Sequence, residues 1–129
     1  MTSAYTHVNL LELPDVVAGR AEGVEGRFGR TAMEARDIGV SHWKYAPGFR
    51  SPVGHSHREQ EEAYLVIGGS GEILLDGEVV ALKQWDLVRV SPQVVRAFAG
   101  GPDGLEVVAV GGPKPEGGDG QPGEVTWPG

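Results

Sequence analysis

Hydrophobic and polar residues alternate over short stretches of this chain, and glycine, proline and aspartate separate the stretches. Such alternation is typical of β-strands, whose side chains point to opposite faces in turn. We predict strands over 38–45, 63–67, 72–75, 78–82, 87–90, 94–99 and 105–110, with a short edge strand over 8–13. The pattern over 27–34 does not decide whether that segment is a strand. Short strands with frequent turn signals predict an all-β sandwich or barrel.

Turn residues predict how these strands connect. Asp76 and Gly77 lie between two apolar stretches, and an Asp-Gly pair supplies the positive φ angles of a two-residue type I′ hairpin. The segment 68–71, which contains three glycines, is expected to bend the chain after the strand 63–67. Further turns are predicted over 83–86, 91–93 and 100–104.

Length and composition indicate how the chain is organised. A chain of 129 residues suits one domain with its own core. We divide it into an N-terminal arm with short strands over 1–36, a barrel core over 37–111 and a tail over 112–129, in which ten residues are glycine or proline. Because such a tail cannot build a core, we expect it to be flexible or extended. Val125 and Trp127 are the residues that would pin it to the barrel or to a neighbouring subunit.

Charge and residue types exclude several classes of function. The formal net charge of -7 argues against nucleic-acid and anionic-membrane partners, which require basic patches. The sequence has no cysteine, so disulfides and thiol catalysis are excluded, and a metal site would use histidine, carboxylate or water. No apolar run has membrane-spanning length, and the N-terminus lacks a basic region followed by an apolar one. We therefore expect a cytoplasmic protein.

His55 and His57 are the residues whose spacing points most directly to chemistry. In an extended chain the two imidazoles lie on one face, where both can bind the same metal ion. A carboxylate from the next strand would complete a set of two histidines and one acid with open positions, which suits non-haem iron and other divalent ions. Glu61 and Glu62 are the candidates, and we favour Glu62 because it shares strand parity with Tyr64.

This stretch resembles the first motif of the cupin family, in which two histidines one residue apart precede an acid and then a glycine. Glu62 and Gly69 match the spacing of that motif, whereas Gly48 lies one residue too far from the first histidine. The resemblance covers roughly residues 38–111 and implies a double-stranded β-helix, a jelly-roll barrel. It also implies a homodimer, and a metal bound by the two histidines and the acid.

The second motif of the family, whose histidine normally provides a fourth ligand, is matched in shape but not in residues. Arg96 stands at the position of that histidine. Arginine stays protonated and has no lone pair for a metal. Three interpretations therefore remain open. In the first, His55, His57 and Glu62 hold a metal while Arg96 faces the substrate. In the second, no metal binds and Arg96 pairs with Glu62. In the third, Arg96 binds an anionic ligand through its paired nitrogens.

Two functions follow from these expectations. In the first, the barrel binds a small anionic organic molecule, and Fe, Mn, Ni or Zn supports oxygenase, isomerase or lyase chemistry whose catalytic residues are not identified. In the second, the protein is a metal-free module that binds or senses a small molecule without catalysis. Arg96, Tyr64 and His42 are the candidate ligand-binding residues, although a histidine or tyrosine at such positions is more often a wall residue.

Overall fold

The structure, a computed structural model, describes residues 4–129 and is built from strands. One 3-10 helix, Leu10–Glu12, precedes them. The strands are β1 (Val24–Phe28), β2 (Gly39–Tyr45), β3 (Val53–His57), β4 (Glu62–Leu75), β5 (Glu78–Lys83), β6 (Leu87–Val90), β7 (Arg96–Gly111) and β8 (Gly120–Glu124). The all-β prediction is confirmed. Among residues 4–129 there is no helix with the length and apolar character that a membrane crossing requires.

Two long strands, β4 and β7, organise the barrel because they pair antiparallel along most of their length and contribute to both of its layers. One layer has the order β1-β2-β7-β4-β6, and the other has the order β8-β3-β7-β4-β5. Each long strand passes from one layer to the other at a glycine-rich irregularity, over 68–71 in β4 and over 100–104 in β7. This curled arrangement of two layers is a jelly-roll barrel, as predicted.

Gly69 shows why glycine is required where β4 crosses between the layers. Its φ angle is 68°, a conformation that residues with a side chain rarely adopt. A Cβ atom at this position would also overlap the carbonyl oxygen of Gly104 on β7. The predicted bend at 68–71 is therefore a bulge within one continuous strand, and the predicted turn at 100–104 likewise lies inside β7.

The predicted hairpin at Asp76 and Gly77 is confirmed. Leu75 and Glu78 are paired across the turn, and the two residues between them have φ angles of 48° and 88°. Both angles are positive, as a type I′ turn requires. The register of β4 against β5 is therefore set locally by two residues.

Gly77→Val is expected to lower the free energy of unfolding by about 1–2 kcal/mol, because a β-branched residue resists positive φ. A Cβ atom at Gly77 would meet no other atom within 4 Å, so the loss would come from backbone strain and not from a clash. Gly77→Asn is the control, since asparagine tolerates this conformation. Chemical denaturation measures the free energy of unfolding of the three proteins. Equal stability of wild type and Gly77→Val would rule out the type I′ conformation.

The N-terminal arm differs from its prediction. Residues 8–13 were expected to form an edge strand but contain the 3-10 helix Leu10–Glu12. Asn9 caps this helix, since its side chain accepts a hydrogen bond from the Leu11 amide at 3.0 Å. Local capping by asparagine competes with strand pairing, and an alternating pattern does not reveal it. The segment 27–34 is part strand and part turn, because β1 ends at Phe28 and turns follow.

The tail, rich in glycine and proline, is extended and packed against the barrel. β8 pairs antiparallel with β3, and Gly120 lies opposite His57. Further along, the Trp127 indole donates a hydrogen bond of 2.9 Å to the carbonyl oxygen of Ser51. The tail therefore runs beside the strand that carries the two histidines of the sequence motif.

Buried apolar side chains from both layers form the core between them. Its members are Tyr45, Tyr64, Val66, Ile73, Leu82, Val90, Phe98, Leu105, Val107 and Ala109. Some apolar side chains on the strands are exposed instead, among them Leu87 on β6 and Val110 on β7. The expected homodimer would cover surface of this kind, and it stays a prediction.

Candidate functional site

The strand β3 and the start of β4 bring His55, His57 and Glu62 together. The two imidazoles point to the same side of β3, with ring centroids 5.1 Å apart and ring planes at 88°. Their Nε2 atoms lie 3.4 Å and 3.1 Å from Oε1 of Glu62. One ligand atom from each of the three residues lies within 4.8 Å of the others. The geometry expected from strand parity is present.

Glu62 is held by donors on several sides. Besides the two imidazoles, the Tyr64 hydroxyl donates to Oε1 at 2.5 Å. Burial raises the pKa of Glu62, but hydrogen bonds from His55 and Tyr64, together with the charges of the two histidines, outweigh burial and lower the pKa to about 2. The acid is therefore ionised at neutral pH, as a metal ligand must be.

Arg96 lies in the site but is closed off from solvent. Its side chain is 0% exposed, with Nη1 3.3 Å from Oε1 of Glu62 and Nη2 donating to the carbonyl oxygen of Ser91 at 2.7 Å. Its Nε is buried without a hydrogen-bond partner. The guanidinium thus contacts the carboxylate and presents no free pair of nitrogens to a ligand. The geometry agrees with the Arg96–Glu62 pair, and this pair coexists with the cluster of two histidines and an acid.

Asp119, which the sequence did not single out, contacts the other side of His57. Its Oδ1 lies 2.9 Å from Nδ1 of His57, and its Oδ2 accepts hydrogen bonds of 2.8 Å from the amides of Glu59 and Gln60. Burial raises the pKa of Asp119, but these hydrogen bonds, the Glu59 amide first, outweigh burial and lower it. A lone aspartate in a glycine-rich tail carries no sequence signal, and only the pairing of β8 with β3 brings it here.

His42 is not part of this cluster. On β2, the side chains of Ser41, Trp43 and Tyr45 line the cavity beside the site, so His42 faces the opposite side of the sheet. There its Nε2 lies 2.5 Å from Oε2 of Glu106, and the residue is buried. The structure therefore places this predicted ligand-binding residue in the barrel wall, away from the two histidines and the acid.

Two cavities meet at the site. The first has a volume of about 450 Å³ and is mostly apolar. Its aromatic lining residues are Phe28, Trp43, Tyr45, Phe49, Tyr64 and Phe98. The second, of about 600 Å³, is more polar and includes Arg30, Lys114 and Asp119. His57 and Glu62 line both cavities, so the cluster lies where they adjoin.

The donor set fits a divalent metal ion. Two imidazole nitrogens and one ionised carboxylate suit Fe, Mn, Ni and Zn alike. Because Nδ1 of His57 faces the Asp119 carboxylate, Nε2 is the nitrogen directed toward Glu62 and the site. The positive charge of Arg96 competes for Glu62, so these residues would bind metal more weakly than a site with a fourth ligand in its place.

Comparison with known proteins agrees with this architecture. The model of the cupin domain family matches residues 41–111. A cupin protein from Bacteroides fragilis superposes with a TM-score of 0.71 at 21% identity, over 88% of each chain. The polyketide cyclase RemF from Streptomyces resistomycificus gives 0.73 at 17% identity, over 95% of this chain and 86% of that one. Oxalate decarboxylase from Lactobacillus farciminis gives 0.74 at 14% identity, over 88% of this chain and 34% of that one.

At these identities the solved structures establish the fold alone. No protein of curated function matches this sequence. The family match is the stronger result, because it spans more than half of the chain and includes the two histidines, the acid and Arg96. With the jelly-roll fold and the conformation of the first motif, this match shows that the chain belongs to the cupin domain family.

Proposed function

We propose that this cupin binds a small organic molecule with an apolar, aromatic body in its first cavity, next to a divalent metal held by His55, His57 and Glu62. The observation that carries the proposal is the convergence of the three ligand atoms, within 4.8 Å of one another, at the wall of an aromatic-lined cavity of about 450 Å³. Apolar cavities of this size with a few convergent polar groups are typical of small-molecule sites. As an enzyme, the protein would be a metal-dependent oxygenase, isomerase or lyase.

Each residue around the cavity has a definite role in this proposal. A bound divalent ion supplies Lewis-acid activation of a substrate or water oxygen. Burial, followed by the charge of Glu62, raises the pKa of Tyr64 well above its usual value, so the hydroxyl stays protonated and holds the carboxylate in place. His55, whose side chain is 44% exposed, is the more accessible of the two histidines. The Tyr45 and Phe98 rings, 5.4 Å apart and nearly parallel, stack on each other in the lining of this cavity.

The expectation of an anionic ligand gains no support from Arg96. Both of its terminal nitrogens are engaged, one by Glu62 and one by Ser91, and the side chain is fully buried. We therefore propose that the apolar body of the ligand dominates recognition.

Phenol and benzoate, which share a ring but differ in charge, are suitable probes for calorimetry. Binding of phenol at least as tight as that of benzoate is expected, and Phe49→Ala, which removes part of the aromatic wall, should weaken both.

Zn(II) or Co(II), titrated into tag-free protein by calorimetry, is expected to bind at one ion per chain. His57→Ala should weaken this binding by at least about 100-fold, because it removes one of only three protein ligands. His7→Ala is the control, since this histidine is exposed and lies outside the site. Equal affinity in wild type and His57→Ala would refute the metal part of the proposal.

Arg96→His belongs in the same titration. The substitution removes a positive charge beside Glu62 and adds a nitrogen with a lone pair, so the affinity for the divalent ion should rise. Arg96→Ala removes only the charge and should give a smaller rise. Unchanged affinity in both variants would mean that Arg96 does not compete for the carboxylate.

A metal-free binding module is the second candidate, and the Arg96–Glu62 contact favours it. Arg96 lies 3.3 Å from the same carboxylate oxygen that faces the two histidines, and it neutralises this acid without a metal. This function predicts that phenol binds equally well in the presence of a chelator and in the presence of Zn(II). The metal-dependent function predicts that any ligand with an oxygen donor binds more tightly when the ion is present.

A further inference from the structure

The tail delivers a buried carboxylate to the back of the site. Asp119 is 3% exposed, and within residues 4–129 the hydrogen bonds of its carboxylate all go to segment 57–60. Its Oδ2 accepts two backbone hydrogen bonds, and its Oδ1 lies 2.9 Å from His57 and 3.3 Å from the Gln60 side-chain nitrogen. The segment that carries this carboxylate consists mostly of glycine and proline. Because its one buried acid is bound so completely by segment 57–60, we infer a specific role for it.

We propose that Asp119 is a positioning residue that orients His57 for metal binding, and that segment 113–124, the strap, completes the site. This role presupposes the metal site proposed above. The strap also provides Lys114, Gly117 and Gly118 to the wall of the second cavity. Its removal would therefore both open that cavity and release His57.

The chemistry of the Asp119 contacts determines which nitrogen of His57 is available. An ionised carboxylate has only acceptors, so the Nδ1 atom of His57 must donate to it. Nε2, which faces the ionised Glu62 at 3.1 Å and donates to it when no metal is bound, is then the nitrogen that would give up its proton to bind the ion. A carboxylate bound to the outer nitrogen of a ligating histidine fixes the ring and makes it a stronger ligand.

The position of Asp119 depends on the docking of the strap. β8 pairs only with β3 among the described strands, and the residue lies immediately before it. Only the docked strap places Asp119 against His57. Docking should therefore raise the affinity for the metal, and metal binding should stabilise the docked strap.

Asp119→Asn separates positioning from docking. The two backbone amides require an oxygen, so the asparagine would turn its NH₂ group toward His57, whose Nδ1 must then accept. The one ring proton is then on Nε2, the nitrogen that would bind the metal. We expect affinity for Zn(II) to fall about 10- to 100-fold. The amide protons of β8 should stay protected from exchange, whereas Asp119→Ala should lose both metal affinity and protection.

The nitrogen NMR signals of His57 test positioning without any metal. In the wild type, Nδ1 should have the shift of a protonated nitrogen, and in Asp119→Asn that of an unprotonated one. If the wild type binds no metal, the proposed function fails, but these signals still decide the role of Asp119. Trp127→Phe, which removes the indole hydrogen bond to Ser51 but no contact between the strap and His57, should leave signals and affinity unchanged. An unaltered Nδ1 signal in Asp119→Asn, or an equal loss of affinity in Trp127→Phe, would overturn the proposal.

Discussion

Arg96→Ala is expected to lower the free energy of unfolding by about 3–5 kcal/mol. The arginine is fully buried, and its removal takes away the permanent positive charge beside the carboxylate of Glu62 and leaves the carbonyl oxygen of Ser91 without its 2.7 Å hydrogen bond. A buried charge that loses its partner costs far more than a surface charge. Chemical denaturation of the metal-free protein measures the loss.

Arg89→Ala is the matched control for this substitution. Arg89 also pairs with a glutamate, Glu61, at 3.0 Å, but the two side chains are 66% and 60% exposed. A surface pair of this kind contributes little, so the loss should stay below about 1 kcal/mol. If Arg96→Ala cost no more than Arg89→Ala, the buried pair would have no structural role. A rise in metal affinity in Arg96→Ala would show in addition that the arginine restrains Glu62 from binding an ion.

Acid is expected to remove about 3 kcal/mol of stability through Glu62 alone. The pKa of this residue falls from its ordinary 4.5 to about 2 on folding, so the unfolded chain takes up the proton first. The contribution is therefore complete above pH 4.5 and is lost as the pH falls toward 2. About 2 kcal/mol should already be gone at pH 3. Asp119, whose pKa is also lowered, adds to the loss in the same direction.

Urea denaturation of the metal-free protein at pH 6, 4 and 3 measures this dependence. Glu62→Gln leaves Arg96 unpaired and lowers stability at every pH, so the slope with pH is the quantity to compare. The slope should be shallower in Glu62→Gln than in the wild type. Glu78→Gln, which removes an exposed carboxylate from the hairpin, is the control. Identical slopes in the wild type and Glu62→Gln would show that another group governs acid unfolding.

Part of the site was predictable because it depends on neighbours in the chain. His55 and His57 share a face since they are two residues apart in a strand, and no distant contact is needed for this. The choice of Glu62 over Glu61 followed from the same parity, and Glu62 does converge with the two histidines. The resemblance to the first cupin motif was sound for the same reason, because that motif lies within one short segment.

Other parts of the site depend on contacts between distant segments, and there the sequence left alternatives open. The sequence placed Arg96 at the fourth-ligand position but did not decide where its charge would go. Ser91 and Glu62, from two separate segments, provide the partners that settle this. His42 is of a residue type common in binding sites, yet the register of β2 turns it to the other face of the sheet.

The sequence by itself determined the all-β class, the hairpin at Asp76 and Gly77 and the geometry of the two histidines, because short-range backbone preferences and strand parity act within a few residues. Only the tertiary structure decided the outcome for the tail. Its composition predicted a flexible or extended segment, and the docking of β8 on β3 made it an ordered strand that carries Asp119 to His57. The physical reason is that long-range backbone pairing and a buried carboxylate stabilise a segment that has no core of its own.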